Sequence, residues 1–568
     1  MISLQYAEGG SKDELKTHFG TREGTYKLMP LSEYSKPSRV AYNGQTNTPV
    51  KVSFVKSNDG NGSATDRICF NVGRELYVYV YKGVKKAVDL TKPIDKRIYK
   101  GTLPTCHDFN QHYVTSDSVL LLVGFTAGQV QLIDPIKKEI SKLYNEERMI
   151  DKTKVTCIKW IPQSPNQFLV SHASGQMYVY NEELPCGLAA PHYQPFKSGE
   201  GFSIYTCKTK STRNPLYRWI VGQGAIHEFA FSPCSVYLAI VSQDGYLRVY
   251  NYNSMEVIGT MKSYFGGLLC VSWSPDGRFI VTGGEDDLVT VWSFHERRVV
   301  CRGQGHKSWV NVVSFDFYTS CVCDDMGCDF NGSEEDYHSS RHCHTKESVQ
   351  KNGSDSNRNS LDGNGLNITS YRFGSIGQDT MLCLWDLTED IIKQSAGRSR
   401  TSISTLSNSA SCLPRCNSLP NSQKRNSIGN DVSAHAEGNS NANTHQIQNA
   451  VMNATNKFAT LSVADRKESQ EKKEHKRNFS LASRNTDKVN MLKSNHVKPV
   501  DDSIKLLGTM SCPRLDEVPI LEPLVYKKIA QERLTSLVFR EECLVTACQE
   551  GLVYTWARPG KGVSFWYT

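Results

Sequence analysis

The feature that most constrains the fold is a repeat. HEFAFSPCSVYLAIVSQDGYLRVYN, residues 227 to 251, aligns with CVSWSPDGRFIVTGGEDDLVTVWS, residues 270 to 293. Phe231 falls on Trp273 and Tyr250 on Trp292, an offset of 42 residues in both pairs, and Phe315 lies a further 42 residues on. Within each unit two alternating apolar runs read as strands. Ser-Pro-Asp-Gly at 274 to 277 supplies one tight turn and Glu-Asp-Asp at 285 to 287 the next. A unit this small cannot bury its apolar faces alone, so copies must stack, and this period belongs to four-stranded blades arranged around an axis.

Seven first strands fit the template: VKVSFV at 50, TCHDFN at 105, VTCIKWI at 155, IHEFAFS at 226, LLCVSWS at 268, VNVVSFD at 310 and LTSLVFR at 534. Third strands end in Tyr180, Tyr250, Trp292, Trp385 and Trp556, with LYVYVY (76 to 81) and VQLID (130 to 134) as degenerate versions. The reading is an all-β, seven-bladed WD40 propeller with two long disordered insertions. His306, Ser375, Asp379 and Trp385 match the buried hydrogen-bonded network of WD blades. Asp286 stands six residues before Trp292, as Asp379 stands before Trp385, and Glu550 takes that place in the last blade.

Residues 1–49 form an N-terminal extension. Blades 1 to 5 and the start of blade 6 occupy 50–317, an acidic Ser/Asn-rich insert 318–368, and the rest of blade 6 369–390. A basic Ser/Asn-rich insert spans 391–500, leaving 501–568 for blade 7. The inserts lack lasting periodicity, so disorder is expected of both, and loop closure adds only roughly 0.6 kcal/mol per doubling of length. Closing the ring needs an outer strand for blade 7, and both GTYKLM (24 to 29) and VSFWYT (563 to 568) can supply it.

The chain carries +8 overall, but between Ile391 and Val500 there are 17 Lys or Arg against 7 Asp or Glu. The rest is therefore about −2, which gives no reason to expect nucleic-acid binding by the folded part. The second insert places basic residues just before serines. The serines on either side of Ile403 in RSRTSIS, with Ser427 in KRNSIGN and Ser480 in HKRNFSLAS, are candidate phosphosites. In the first insert Cys321, Cys323, Cys328, His338, His342, Cys343 and His344 offer ligand-type side chains, but the spacing fits no paired zinc pattern, and no metal is expected.

MISLQYAEGG has no signal-peptide character, and VLLLVGF near residue 120 is too short to span a bilayer. A cytoplasmic and nuclear protein with reduced cysteines, away from membranes, is expected. There is no Gly-x-Ser-x-Gly elbow, no P-loop, no zinc-protease helix and no kinase set, and Gly222 and Gly224 in VGQGA are too few for a nucleotide site. Neither an enzyme nor a cofactor is expected.

FNVGRELYVYVYKGVKKA, VGFTAGQVQLIDPIKKE, TMKSYFGGLLCVSWSPDG, GQDTMLCLWDLTEDI and CPRLDEVPILEPL lie mostly outside the repeat consensus. With them the chain resembles the family of WD repeat-containing protein 20 and the dystrophia myotonica WD repeat-containing protein. The resemblance implies a non-catalytic regulatory subunit that binds and activates ubiquitin-specific protease 12 or its close relative 46, together with a second WD-repeat activator. A general WD40 scaffold, such as a ubiquitin-ligase substrate receptor or peptide reader, is the alternative. The alignment puts Phe265 and Trp309 on neighbouring fourth-to-first-strand loops, where the blade interior is already filled. Both are expected at the surface as partner-binding anchors, and the resemblance points to the same loops.

Overall fold

Alternation drives each inner strand. In Val155–Trp160 (VTCIKW), Val155, Cys157 and Trp160 are buried while Thr156 and Lys159 are half-exposed. The computed structural model describes residues 15, 17–29, 48–58, 64–85, 89–207, 213–319, 321–322, 368–395 and 506–561. Those residues form seven sheets, antiparallel but for one short parallel pairing, the blades of one propeller.

Blade 1 runs outward through Val52–Asn58, Ala64–Val72, Glu75–Tyr81 and Asp95–Ile98, and blade 2 through Pro104–Val114, Val119–Phe125, Val130–Ile133 and Ser141–Tyr144. Blade 3 is extended. Outside Gln176–Asn181 it adds Tyr217–Val221, then Phe202–Cys207 and Tyr193–Gly199, making six strands. Blade 4 spans Ile226–Phe231 to Glu256–Lys262 and blade 5 Leu268–Trp273 to Arg298–Gln304. All seven expected first strands are the innermost strands of their blades. Gly222 and Gly224 lie in the link between blades 3 and 4, both at positive φ.

Two expected boundaries need correction. Blade 6 is built from Val310–Phe315, Ile368–Gly377 and Met381–Thr388, and its outer strand is Val525–Lys528. The basic insert therefore interrupts blade 6 before its last strand, and 501–568 is not blade 7 alone. Residues 506–521 first run along blade 5, where Ile520–Leu521 pairs in parallel with Arg302 and Gly303. The first insert also begins later than expected, since Tyr318 and Thr319 are described and Cys321–Val322 pairs with Ser370 and Ile368. A helix at 389–395 leads into the second insert. The remainder of both inserts lies outside the described residues, with Ser427, Ser480 and the serines flanking Ile403. So do the Cys/His candidates from Cys323 to His344. The side chain of Cys321 is likewise not described.

The closing strand is N-terminal. Blade 7 runs Leu534–Phe539, Cys543–Cys548, Val553–Ala557, then Gly24–Leu28 and His18–Thr21. VSFWYT lies outside the described residues.

Packing between blades explains the aromatic third strands. The indole of Trp385 is fully buried against Gly303 of the preceding blade, where an added Cβ would come within 2.8 Å of the ring. Trp292 uses Gly259 of blade 4 in the same way, at 2.9 Å. A side chain at either glycine would force the blades apart.

His107, on the inner strand of blade 2, illustrates the polar core. Its Nδ1 lies 2.7 Å from Ser53 Oγ and its Nε2 3.1 Å from the Lys51 carbonyl. Burial pushes its pKa down to about 3, against the hydrogen bond to Lys51 and assisted by the Lys159 and Lys51 charges. The unfolded imidazole titrates near about 6.5, so the depressed folded value gives stability that is full above that pH. It is lost as the pH falls towards 3, by at most about 1.4 kcal/mol per pH unit. His107→Gln is expected to flatten this acid limb, so that the loss of stability between pH 7 and pH 5 shrinks by about 2 kcal/mol. Denaturant melts at the two pH values read the difference, and an unchanged limb contradicts it.

Candidate partner-docking face

In blades 1 to 6 the fourth strand returns to the next inner strand through a loop on one face of the ring. Two of these loops carry the predicted aromatics.

In the loop of 305–309, His306 is buried. Its Nδ1 lies 3.0 and 3.1 Å from the two Asp379 oxygens, and its Nε2 2.7 Å from Ser375 Oγ. Ser375 Oγ also accepts Trp385 Nε1–H at 2.8 Å. The structure thus brings the four residues His306, Ser375, Asp379 and Trp385 into one chain of hydrogen bonds from loop to core. Burial opposes the charge of Asp379, but the His306 bond and the amides of Lys307 and Met381 hold its carboxyl below the ordinary value. The Gln378 amide donates to the Trp309 carbonyl at 2.9 Å, which fixes the loop's far end. Trp309 is left 42% exposed.

Blade 5 does not repeat this network. Tyr264 stands where His306 stands one blade later, so nothing relays from Asp286 to Trp292. Trp292 Nε1 and Thr282 Oγ1, in the place of Ser375, have no partner among the described residues. Asp286 instead accepts the Tyr264 amide at 3.0 Å and the Leu288 amide at 3.3 Å. Its carboxyl is pushed up to about 6 by burial.

The loop of 263–267 is held by other means. Ser263 Oγ donates to the Gly266 carbonyl at 2.6 Å, and Glu285 accepts the Gly267 amide at 2.8 Å. Gly266 has φ +62° and its Cβ would lie 2.8 Å from that of Glu285, so the turn needs glycine. Phe265, at its tip, is 72% exposed.

Sequence reasoning missed what supports this loop from behind. Arg302 is fully buried, its guanidinium 5.0 Å from the Tyr264 ring centroid. Its Nη1 donates to the Pro513 carbonyl at 2.7 Å and its Nη2 faces Cys512 Sγ at 3.9 Å. Cys512 Sγ reaches the Ser263 carbonyl at 3.5 Å, and the Lys262 amide donates to the Ser511 carbonyl at 2.9 Å. The segment after the second insert is therefore a strap at the base of the Phe265 loop. Arg302→Met is expected to lower stability by about 1.5–3 kcal/mol, the worth of hydrogen bonds to a charged group. It should also speed amide exchange in 506–521 and 262–267 together. Unchanged exchange in both segments would contradict the coupling.

Among the described residues no cluster of His, Cys, Asp and Glu is arranged to hold a metal, and no helix is long and apolar enough to cross a membrane. Every cysteine whose side chain is described is a free thiol. With seven blades and the His306 to Trp385 network, the fold is that of a WD-repeat propeller, a class of generally non-catalytic scaffolds for protein contacts. The family model for the WD domain, G-beta repeat, matches residues 255–293. The chain is 54% identical over 580 residues to WD repeat-containing protein 20 of Mus musculus, covering 98% of this chain and 99% of that one. It is 38% identical over 646 residues to the WD repeat-containing protein 20 homolog of Caenorhabditis elegans, covering 97% of this chain and 84% of that one. A chain of the solved "Crystal Structure of Mitotic Checkpoint Complex" aligns over 98% of this chain and 97% of its own, at 9% identity and TM-score 0.45, too distant a likeness to bear on function. The chain belongs to the WD repeat-containing protein 20 family.

Proposed function

We propose that this propeller is a non-catalytic regulatory subunit that seats a ubiquitin-specific protease, of the 12 or 46 type, on its loop face and stimulates it, alongside a second WD-repeat activator. The observation that carries the reading is the exposure of Phe265 and Trp309 on neighbouring, internally braced loops. Large apolar side chains held rigidly at a surface lose little entropy on binding and make strong anchors. The family resemblance supplies the class of partner. A cytoplasmic and nuclear distribution, set in part by phosphorylation at sites such as Ser427 and Ser480, belongs to the same proposal.

Affinity capture of the full chain from cells, followed by mass spectrometry, tests it. Stoichiometric ubiquitin-specific protease is expected. Recovery of ubiquitin-ligase adaptors in its place would make the chain a substrate receptor.

A further inference from the structure

Between blades 2 and 3 the ring carries a groove that the Phe265 and Trp309 loops do not touch. It encloses about 390 Å³. One wall is the outer strand of blade 2 with the turn after it, 142 to 150, and the other is the segment that follows the third strand of blade 3, 182 to 188. Both walls are braced by buried asparagines. Asn145, at φ +55°, donates through Nδ2 to the carbonyls of Gly128 at 2.8 Å and Asp151 at 2.6 Å, and its Oδ1 accepts the Ile150 amide at 2.9 Å. Asn214 donates through Nδ2 to the carbonyls of Asn181 and Leu184, both at 2.7 Å. Tyr144 Oη joins the walls by donating to the Glu182 carbonyl at 2.9 Å. Although the backbone is held this firmly, apolar side chains on the groove stand open to solvent. Leu188 is 86% exposed, the most of any large apolar residue described, and Met149 is 44% exposed.

We propose that this groove binds a linear peptide of a partner protein in which lysines or arginines flank a large apolar residue. The apolar side chain lies against Leu188 and Met149, and the flanking cations meet the carboxylates of the rim. Charge complementarity selects the flanks. Glu182 is matched by Lys142 at 3.4 Å, and Glu183 accepts the neutral Asn166 side chain at 2.9 Å. Glu146 and Glu147 are exposed and join no ion pair among the described residues. Exposed carboxylates hold a free cation only weakly, so the charges steer and the apolar contact retains. Burying a leucine-sized side chain between Leu188 and Met149 is the larger contribution, which points to a peptide and not to an inorganic ion. The same carboxylates repel phosphate backbones, so a nucleic acid does not fit. A site of this volume takes a few side chains of an extended segment and is too small for a folded domain. The groove lies on other blades than Phe265 and Trp309, and the proposal does not depend on what those rings hold.

The test uses the full chain and a fluorescein-labelled peptide in which a lysine-arginine pair stands on each side of a leucine, read by fluorescence anisotropy. Replacing the leucine by serine, or the four basic residues by glutamine, gives the comparison peptides. The parent peptide is expected to bind in a salt-sensitive way and about tenfold more tightly than either comparison. Leu188→Ser, and Glu146→Lys combined with Glu147→Lys, should each weaken it about tenfold. All three are exposed positions, so the thermal midpoint should hold, and Phe265→Ala should leave the affinity unchanged. Equal binding of the serine peptide, or unchanged affinity in Leu188→Ser, would reduce the effect to attraction between a basic chain and an acidic surface and overturns the proposal. Two other occupants are open to the same measurements. Carbodiimide cross-links from lysines of 396–505 to Glu146 or Glu147 in a full chain that ignores the peptide would give the groove to this chain's own basic insert. Self-association in sedimentation that Leu188→Ser removes would give it to a second copy. Either result overturns the assignment to a partner peptide.

Discussion

Removal of residues 1–29 is expected to destabilise the whole ring, with a thermal midpoint far below that of the intact chain and early proteolysis in blade 7. The clasp is small in length and large in what it buries. Lys27 and Leu28 pair with Ala557 and Trp556, and the Met29 amide donates to the Thr555 carbonyl at 2.9 Å. Phe19 and Tyr26 stack with centroids 4.9 Å apart, both almost fully buried, and Phe19 packs on Trp556 at 5.5 Å. Glu23 receives both Nη atoms of Arg372, at 2.8 and 2.9 Å, from a guanidinium that also serves Asp386. Tyr26 Oη accepts from Arg558, which pairs with buried Asp316 of blade 6. Truncation thus opens a sheet edge, bares the aromatic core of blade 7 and removes partners from two buried guanidinium groups at once. Each buried aromatic alone is worth about 3–5 kcal/mol against alanine, a large part of the about 5–15 kcal/mol that holds a typical domain. Phe19→Ala separates packing from strand pairing and should lose about 3–5 kcal/mol by itself. An unaltered midpoint in the truncated chain would mean that another segment closes the ring.

What could be read from the sequence follows from how local each signal is. The inner strands announce themselves through alternation within six or seven residues, and the blade 6 network through four residue types at repeat spacing. The outer strand of blade 6 does neither. Val525–Lys528 reads VYKK, four residues with one buried position, and it pairs with a strand that precedes the entire basic insert. Only the unfilled edge of Met381–Thr388 calls for it, and an unfilled edge is a property of the folded sheet. The clasp is similar. GTYKL has one fully buried side chain in five, so pattern alone leaves it level with VSFWYT. The strap was misassigned for another reason. CPRLDEVPILEPL contrasts with the polar insert before it, which marks it as ordered, but its contacts run backwards to Ser263 and Arg302 and have no local signature. In blade 5 the Asp and Trp of the consensus were present, and the single change to Tyr264 was enough to disconnect them. Of the loop face, Phe265 and Trp309 were legible because the repeat leaves them no place inside.

Phe265→Ala and Trp309→Ala are each expected to cost about 2 kcal/mol of protease affinity, about a thirtyfold weaker complex, and to abolish stimulation of ubiquitin cleavage at working concentrations. Their folded states should be little affected. Phe265 stands on a turn held by backbone and carboxylate contacts that its ring does not make, from the Ser263 hydroxyl, Glu285 and Asp286. The position of Trp309 is fixed by its carbonyl on Gln378 and by the His306 network beside it, none of which involves the indole. The thermal midpoints of both variants should therefore stay near that of the parent chain. The double variant discriminates further. If the two rings anchor one partner across neighbouring blades, their losses should combine to about 4 kcal/mol, close to a thousandfold weaker complex, while either ring alone leaves one only about thirtyfold weaker. A normal complex with either alanine, or a variant that melts early, would assign these rings to packing and move the docking site elsewhere on the ring.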